Sequence, residues 1–168
     1  MAKQQKHLAD LFHETLKDIY YAEKKILTAL PKMAKAAHSD ELRAAFEKHE
    51  RETQAQVRRL DEVFEIIEEP ARGKRCDAIE GLVDEGKEIM KDFRGSPALD
   101  AGLLAAAQAV EHYEISRYGT LKTWAEKLGM QQAVRLLDQT LTEEKNTDEA
   151  LTDLAEAVVN QEAQAAAE

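Results

Sequence analysis

Apolar residues recur every three or four positions along most of the 168-residue chain. This spacing places them on one face of an α-helix, which is the pattern of amphipathic helices that pack against one another. It predicts four long helices, at about residues 8–37, 40–68, 97–129 and 131–160. A shorter helix is predicted at about residues 76–93, between the second and third long helices. We therefore expect an all-α protein built as a four-helix bundle with one additional short helix.

The predicted helix ends coincide with residues that start or stop helices. Ser39 can cap the second helix, and Gly95, Ser96 and Pro97 provide a stop, an N-cap and a first helical position for the third long helix. Pro31 lies inside the first helix and removes a backbone hydrogen bond. That helix is therefore expected to kink or break, and the apolar pattern beyond Pro31 favours a kink.

Composition supports a single helical domain. The sequence has three prolines, seven glycines and 5% aromatic residues, which is typical of long helices. No linker or repeat divides the chain, so we expect one domain over residues 1–168, with its core at about 8–160 and a frayed tail at 161–168. Phe93 and Val158, near the ends of the short helix and the last helix, are expected to face the core.

Each long helix carries polar residues in the middle of its apolar face. At a rise of about 1.5 Å per residue, these interruptions fall at similar heights in an antiparallel bundle. Six carboxylates would then meet in one buried layer: Glu23, Glu52, Glu111, Glu114, Glu144 and Asp148. His49 and Gln56 belong to the same interrupted face of the second helix.

Six carboxylates in one layer repel each other, and each is costly to remove from water. One or two divalent cations would supply positive charge and accept oxygen lone pairs, so we expect a site for two metal ions. Oxygen-rich ligation suits iron or manganese better than zinc. Glu114 and Asp148 could instead lie behind the ligands, and His49 and Gln56 are either ligands or hydrogen-bonded supports. The alternative is a metal-free polar network in which the glutamates pair with lysine, arginine or tyrosine.

Charge and hydropathy restrict the partners and the location. The formal net charge of -10 disfavours binding to nucleic acid or to anionic membranes, because both would repel the chain. The sequence has no apolar run of about 18 residues, and its first residues lack the apolar core of a signal peptide, so a cytoplasmic location is expected. Cys76 cannot form an internal disulfide, and we expect it to be a small buried residue. His112 is expected on the surface.

Six segments carry a resemblance to a known family. They are DIYYAEKK at 18–25, HERET at 49–53, EGL at 80–82, VEHYEI at 110–115, YGTL at 118–121 and EEKNTD at 143–148. These segments resemble the ferritin-like superfamily, and more closely its bacterial stress-associated members of the YciF/YciE type. The resemblance spans nearly the whole chain. It implies a ferritin-like four-helix bundle with a possible di-iron centre, association into a homodimer and a role in the stress response.

Ferritin-like di-metal proteins use one glutamate from each of two helices and a Glu-x-x-His motif from each of the other two. By resemblance, the glutamates that match this plan are Glu23 and Glu111 as terminal ligands and Glu52 and Glu144 as bridging ligands. Ala55 and Thr147 stand where the two histidines of the motif are expected. This departure leaves the identity of the metal open between iron and manganese.

Two functions are compatible with these features. The first is a di-metal protein that carries out redox chemistry with dioxygen or peroxide during bacterial stress. The second is a non-enzymatic helical stress protein that acts through dimerisation or partner binding, with its buried acids purely structural. A 24-subunit iron-storage cage is not expected, because the YciF/YciE type is not the cage-forming branch.

Overall fold

Helices make up most of the computed structural model, which describes residues 5–165. In chain order they are α1 (Leu8–Ala36), α2 (Asp40–Ile66), the short α3 (Asp77–Asp92), α4 (Leu99–Lys127), α5 (Gln131–Leu154), a π-helical turn (Ala155–Val159) and α6 (Asn160–Ala165). No strand occurs between residues 5 and 165. The predicted all-α class, with a short helix between the second and third long helices, is confirmed.

The four long helices form one bundle. α1 packs against α2, α2 against α5, α5 against α4 and α4 against α1, while α3 packs across α1 and α4. Fully buried apolar side chains from all four long helices fill the interior, among them Phe12, Leu60, Leu121 and Leu137. Burial of this apolar surface is the main stabilising contribution. None of the helices in the described range is long and apolar enough to cross a membrane.

The first two helices begin and end close to the predicted residues. The Ser39 Oγ accepts a hydrogen bond from the Leu42 N–H at 3.2 Å and so caps α2 as expected. α1 runs without interruption through Pro31, so the helix does not break there, and the favoured kink stays a prediction. The apolar residues beyond Pro31 pack into the same core, which holds the helix together despite the lost hydrogen bond.

The segment between α3 and α4 differs from expectation in two respects. α4 begins at Leu99 rather than at Pro97, because the Ser96 Oγ accepts a backbone N–H two residues later, at 3.2 Å, in a turn that precedes the helix. Phe93 was predicted to face inward, but its side chain is 46% exposed. α3 has already ended at this residue, and the chain then turns at Gly95, whose φ of +74° favours glycine.

The end of the last long helix departs from the 3.6-residue repeat. A π-helical turn contains one more residue per hydrogen-bonded turn than an α-helix. As a result Val159 is buried, whereas Val158, which was predicted to face inward, is only half-buried. The helix then continues to Ala165, through part of the predicted tail. Residues 166–168 of that tail lie outside the described residues, and its fraying stays a prediction.

A buried carboxylate ties α4 to the connection between α1 and α2. Asp100 is buried and accepts hydrogen bonds from the backbone N–H groups of His38 at 2.9 Å and Ser39 at 2.6 Å. Both N–H groups precede α2 and therefore need an acceptor outside a helix. Helical periodicity does not reveal this contact, because acidic residues in a first helical turn commonly face water.

Replacing Asp100 with alanine should lower the free energy of unfolding by about 2 kcal/mol, because two N–H groups lose their buried acceptor. The matched control is Asp153→Ala, which removes an exposed aspartate from α5 and should change the free energy by less than about 0.5 kcal/mol. Urea unfolding followed by circular dichroism measures both values. Equal effects of the two substitutions would contradict the proposed role of Asp100.

Candidate metal centre

The polar residues that interrupt the helix faces meet in one layer in the middle of the bundle. Six side chains in this acidic layer are at most 3% exposed. They are Glu23 from α1, His49 and Gln56 from α2, Glu111 and Glu114 from α4, and Glu144 from α5. The same three-or-four-residue spacing that buries their apolar neighbours turns these side chains toward the bundle axis.

His49, Glu111, Glu114 and Glu144 form the tightest group in the acidic layer. One ligand atom from each lies within 4.8 Å of the corresponding atoms of the other three. The His49 Nε2 lies 3.4 Å from the Glu111 Oε1 and 4.0 Å from the Glu114 Oε2. An imidazole nitrogen and three carboxylates at these separations can bind a divalent cation.

Glu23 is held by a tyrosine of α4. The Tyr118 hydroxyl donates a hydrogen bond to the Glu23 Oε1, and both side chains are fully buried. Within residues 5–165, the Glu23 Oε2 has no hydrogen-bond partner. The tyrosine therefore fixes one oxygen of the carboxylate and leaves the second without a protein partner.

Glu144 is held by an amide from the neighbouring helix α2. The Gln56 Nε2 donates to the Glu144 Oε1 and, at 3.3 Å, to the Glu143 Oε2. Arg59 donates to both oxygens of Glu143 at 2.6 and 2.7 Å. Such a bidentate pair is directional, so it fixes α2 against α5 next to the layer.

Two predicted carboxylates lie at the margin of the layer. The Glu52 side chain is 25% exposed and pairs with Lys48 at 2.7 Å, although its Oε2 is buried. The Asp148 side chain is 24% exposed, contacts the His112 Nε2 at 3.1 Å and accepts a hydrogen bond from Gln108 at 3.2 Å. His112 is exposed, as expected. Metal ligation by Glu52 and Asp148 stays a prediction.

Burial shifts the pKa values of the ionisable groups in the acidic layer. Burial first, and then the nearby charge of Glu144, raises the pKa of Glu23 to about 8. Burial likewise raises the pKa of Glu144 to about 7 and the pKa values of Glu111 and Glu114 well above their usual range. Burial lowers the pKa of His49 to about 4. The imidazole is therefore neutral at pH 7, which is the form that binds metals.

Many polar atoms of the layer lack a hydrogen-bond partner. Among the described residues these are Glu23 Oε2, both ring nitrogens of His49, Gln56 Oε1, Glu111 Oε2, both carboxylate oxygens of Glu114, and Glu144 Oε2. Native interiors leave few buried polar groups unpaired, because each costs free energy. One nitrogen and several carboxylate oxygens are donors that suit iron or manganese, so the residues present fit a divalent metal.

Of the contacts that support the layer, the sequence names Gln56 as a ligand or a support, but it does not identify which tyrosine, arginine or further glutamate takes part. Tyr118 lies on the apolar face of α4, where a tyrosine fits the apolar pattern. The helical periodicity therefore does not reveal its hydrogen bond to Glu23. Arg59 and Glu143 are charged residues on outward-leaning positions that could equally face water. The signal that was available for Tyr118 is its spacing of one helical turn from Glu114.

Comparisons with known proteins agree on one family and one fold. Residues 7–164 match the family model described as "Domain of unknown function (DUF892)". The chain is 47% identical over 161 residues to Protein YciF of Escherichia coli (strain K12). The aligned region covers 95% of this chain and 96% of that protein. The crystal structure of the E. coli stress protein YciF has a TM-score of 0.88 at 45% identity, over 93% of this chain and 99% of that one. YcfI from Rhodopseudomonas palustris, described as a candidate structural protein, has a TM-score of 0.86 at 43% identity, over 90% of this chain and 97% of that one.

The metal-free protein should lose stability as the pH rises from about 6.5 to 8. The folded-state pKa values of Glu23 and Glu144, about 8 and 7, lie above their ordinary value of 4.5. The folded state therefore keeps protons that the unfolded chain has already released, and the associated stability is lost as the pH passes through the folded pKa values. His49 does not contribute here, because it is largely neutral in both states above its ordinary pKa of 6.5.

Urea unfolding of chelator-treated protein at several pH values measures this slope, which we expect to reach about 1 kcal/mol per pH unit. Glu144→Gln removes one titrating group and should flatten the profile. Glu149→Gln, at an exposed position of the same helix, should leave it unchanged. A flat profile for the parent protein would show that these carboxyl groups are not protonated in the folded state.

Proposed function

The chain belongs to the DUF892 family, and we propose from this that it is a ferritin-like stress protein. Its acidic layer would bind iron or manganese for redox chemistry with dioxygen or peroxide. The observation that carries the proposal is the convergence of His49, Glu111, Glu114 and Glu144 within 4.8 Å in a layer of unpaired polar atoms. Similarity to the E. coli stress protein YciF supports the role in stress.

The four inner residues would hold the first metal ion. His49 supplies a neutral imidazole nitrogen, and Glu111, Glu114 and Glu144 supply carboxylate oxygens. These carboxyl groups must be ionised to bind a cation, so binding releases protons and becomes tighter as the pH rises. Gln56 orients Glu144 through one oxygen, which leaves its second oxygen for the ion.

A second metal ion would draw on Glu23, Glu52 and Asp148. Glu23 already has one oxygen without a protein partner. The buried Glu52 Oε2 has no partner among the described residues, but the Oε1 would have to leave Lys48 before Glu52 could bridge two ions. Asp148 would have to leave Gln108 and His112. Because these exchanges cost free energy, we expect the second ion to bind more weakly than the first. The bridging role of Glu52 requires this rearrangement.

Bound iron or manganese would supply the one-electron chemistry with dioxygen or peroxide that side chains alone do not provide. The chain contributes a site whose side chains are almost completely buried. One turn on either side of the layer, the helix faces are again apolar and buried, with Ile19 and Ile26 around Glu23 and with Phe46 and Leu60 around the polar part of α2. Electrostatic interactions are stronger in such a buried, apolar environment than in water.

A second candidate function is a metal-free helical protein that acts through dimerisation or a partner. The description of YcfI as a candidate structural protein favours it. The residues at the positions of the motif histidines, Ala55 and Thr147, favour it as well. In this case the acidic layer would be held only by protonation and by the hydrogen bonds from Tyr118 and Gln56. Association into a homodimer is part of both proposals.

Protein purified without chelators or affinity metals should contain about one to two iron or manganese ions per chain, the stoichiometry of a carboxylate site of this kind. The double variant Glu111→Gln, Glu144→Gln should lose them, because it keeps the side-chain volumes but removes two anionic ligands. Exposed glutamates on the same two helices provide the matched control, Glu126→Gln with Glu149→Gln. Elemental analysis by mass spectrometry measures all three proteins.

Added manganese or ferrous iron should also raise the melting temperature of the metal-free parent protein. A ligand that binds only the folded state stabilises it by about 2.7 kcal/mol at a hundred times its Kd. The double variant should not respond, whereas the control should respond like the parent. A parent protein that holds no metal, and whose melting temperature does not change on anaerobic addition of either ion, would rule out the metal site and favour the structural function.

A further inference from the structure

An apolar cavity of about 120 Å³ lies between α1, α3 and α4 and reaches the acidic layer. Its inner end is formed by two buried residues of the layer, His49 and Glu111. Most of its wall is aliphatic or thioether surface, from Ile26, Ala29, Leu30, Met33, Leu82, Val83, Met90, Ala107 and Val110. The cavity is therefore an apolar space whose inner end is formed by two residues of the acidic layer.

Small residues keep this cavity open where α3 crosses α4. Gly86 of α3 faces Ala106 of α4, and a Cβ placed on Gly86 would lie 3.8 Å from the Ala106 Cβ. Both residues line the cavity. Larger side chains at this crossing would extend into the cavity and reduce its volume.

Lysine side chains contribute to the wall of the cavity, although the chain has a net charge of -10. Three lysines line it, Lys25, Lys32 and Lys87, and among the described lining residues the only carboxylate is the buried Glu111. Lys25 pairs with Glu80 at 2.9 Å and Lys87 with Asp84 at 2.7 Å. Lys32 is exposed and forms no such pair within residues 5–165, so its charge is available to an anion at the opening.

We propose that this cavity binds a short-chain aliphatic carboxylate, with its alkyl chain against the apolar wall and its carboxylate at Lys32. A dry cavity of about 150 Å³ accommodates a benzene molecule, so the present volume suits a chain of about four to six carbons. The alkyl end would then approach His49 and Glu111. The inference deepens the proposed function by naming the substrate class of the metal layer, but binding in the cavity does not itself require a metal.

The methionines provide a direct readout of binding. Met33 and Met90 line this cavity, whereas Met130 lies in a different depression beside Phe12. In the full chain labelled with methyl-13C methionine and freed of metal, hexanoate should shift the methyl signals of Met33 and Met90 saturably and leave that of Met130 in place. From butanoate to hexanoate, affinity should rise by about fourfold per methylene, as expected for burial of each group.

Two matched pairs of variants locate the two ends of the ligand. Gly86→Leu fills the cavity and should weaken hexanoate binding by at least about tenfold. Its control, Gly81→Leu, adds the same side chain to an exposed position of α3 with open space around it and should leave hexanoate binding unchanged. Lys32→Glu should weaken hexanoate binding by about fivefold, the effect of a lost exposed ion pair, without weakening that of hexan-1-ol. Lys35→Glu, at an exposed position of the same helix outside the cavity, should change neither.

Each of these results tests ligand binding in the cavity independently of metal binding in the acidic layer. Absence of saturable shifts at Met33 and Met90 would overturn it, even for a protein that binds iron or manganese. Equal affinity for hexanoate and hexan-1-ol would overturn the carboxylate assignment. If Gly86→Leu does not fold, the Lys32 and Lys35 pair still decides. Saturable hexanoate shifts in a parent protein that takes up neither iron nor manganese would support the cavity and refute the metal site, so the two proposals can fail separately.

Discussion

The constraint on which this structure depends is the burial of four glutamates in one layer. Glu23, Glu111, Glu114 and Glu144 are at most 2% exposed, and ionised carboxylates in such a place repel each other strongly. The chain reduces this cost by protonation, through raised pKa values, and by the hydrogen bonds that Tyr118 and Gln56 donate. Several oxygens still lack a partner. A divalent cation would replace the protons and satisfy those oxygens together.

Stability must therefore come from parts of the bundle outside the acidic layer. Apolar residues bury the helix faces on both sides of it. Two contacts then fix the helices around it: Asp100 ties α4 to the connection between α1 and α2, and the pair of Arg59 and Glu143 joins α2 to α5. An ordered frame of this kind holds the glutamates close together whether or not a cation is present, which is the condition for a preformed metal site.

The sequence predicts the bundle and the height of the layer because both follow from the helical repeat. A glutamate in an otherwise apolar seam, such as Glu23 or Glu144, marks an inward position directly. The repeat does not decide between His49 and Glu52, which lie less than one turn apart on α2. Their different burial depends on neighbours from other helices and on Lys48, which holds Glu52 toward the surface. The buried position of Val159 depends on a π-helical turn, which shifts the repeat by one residue.

The helical repeat also does not predict where α3 packs. This position determines how a small molecule can reach the acidic layer. A four-helix bundle alone would close around its polar centre, but α3 packs across α1 and α4 and leaves a cavity that ends at His49 and Glu111. Alanine in place of Gly86 would make α3 more stable, because glycine in a helix interior costs about 0.5–1 kcal/mol relative to alanine. The glycine forgoes that stabilisation and keeps a route to the layer open. At this contact stability and access to the acidic layer compete, and the side chains present favour access.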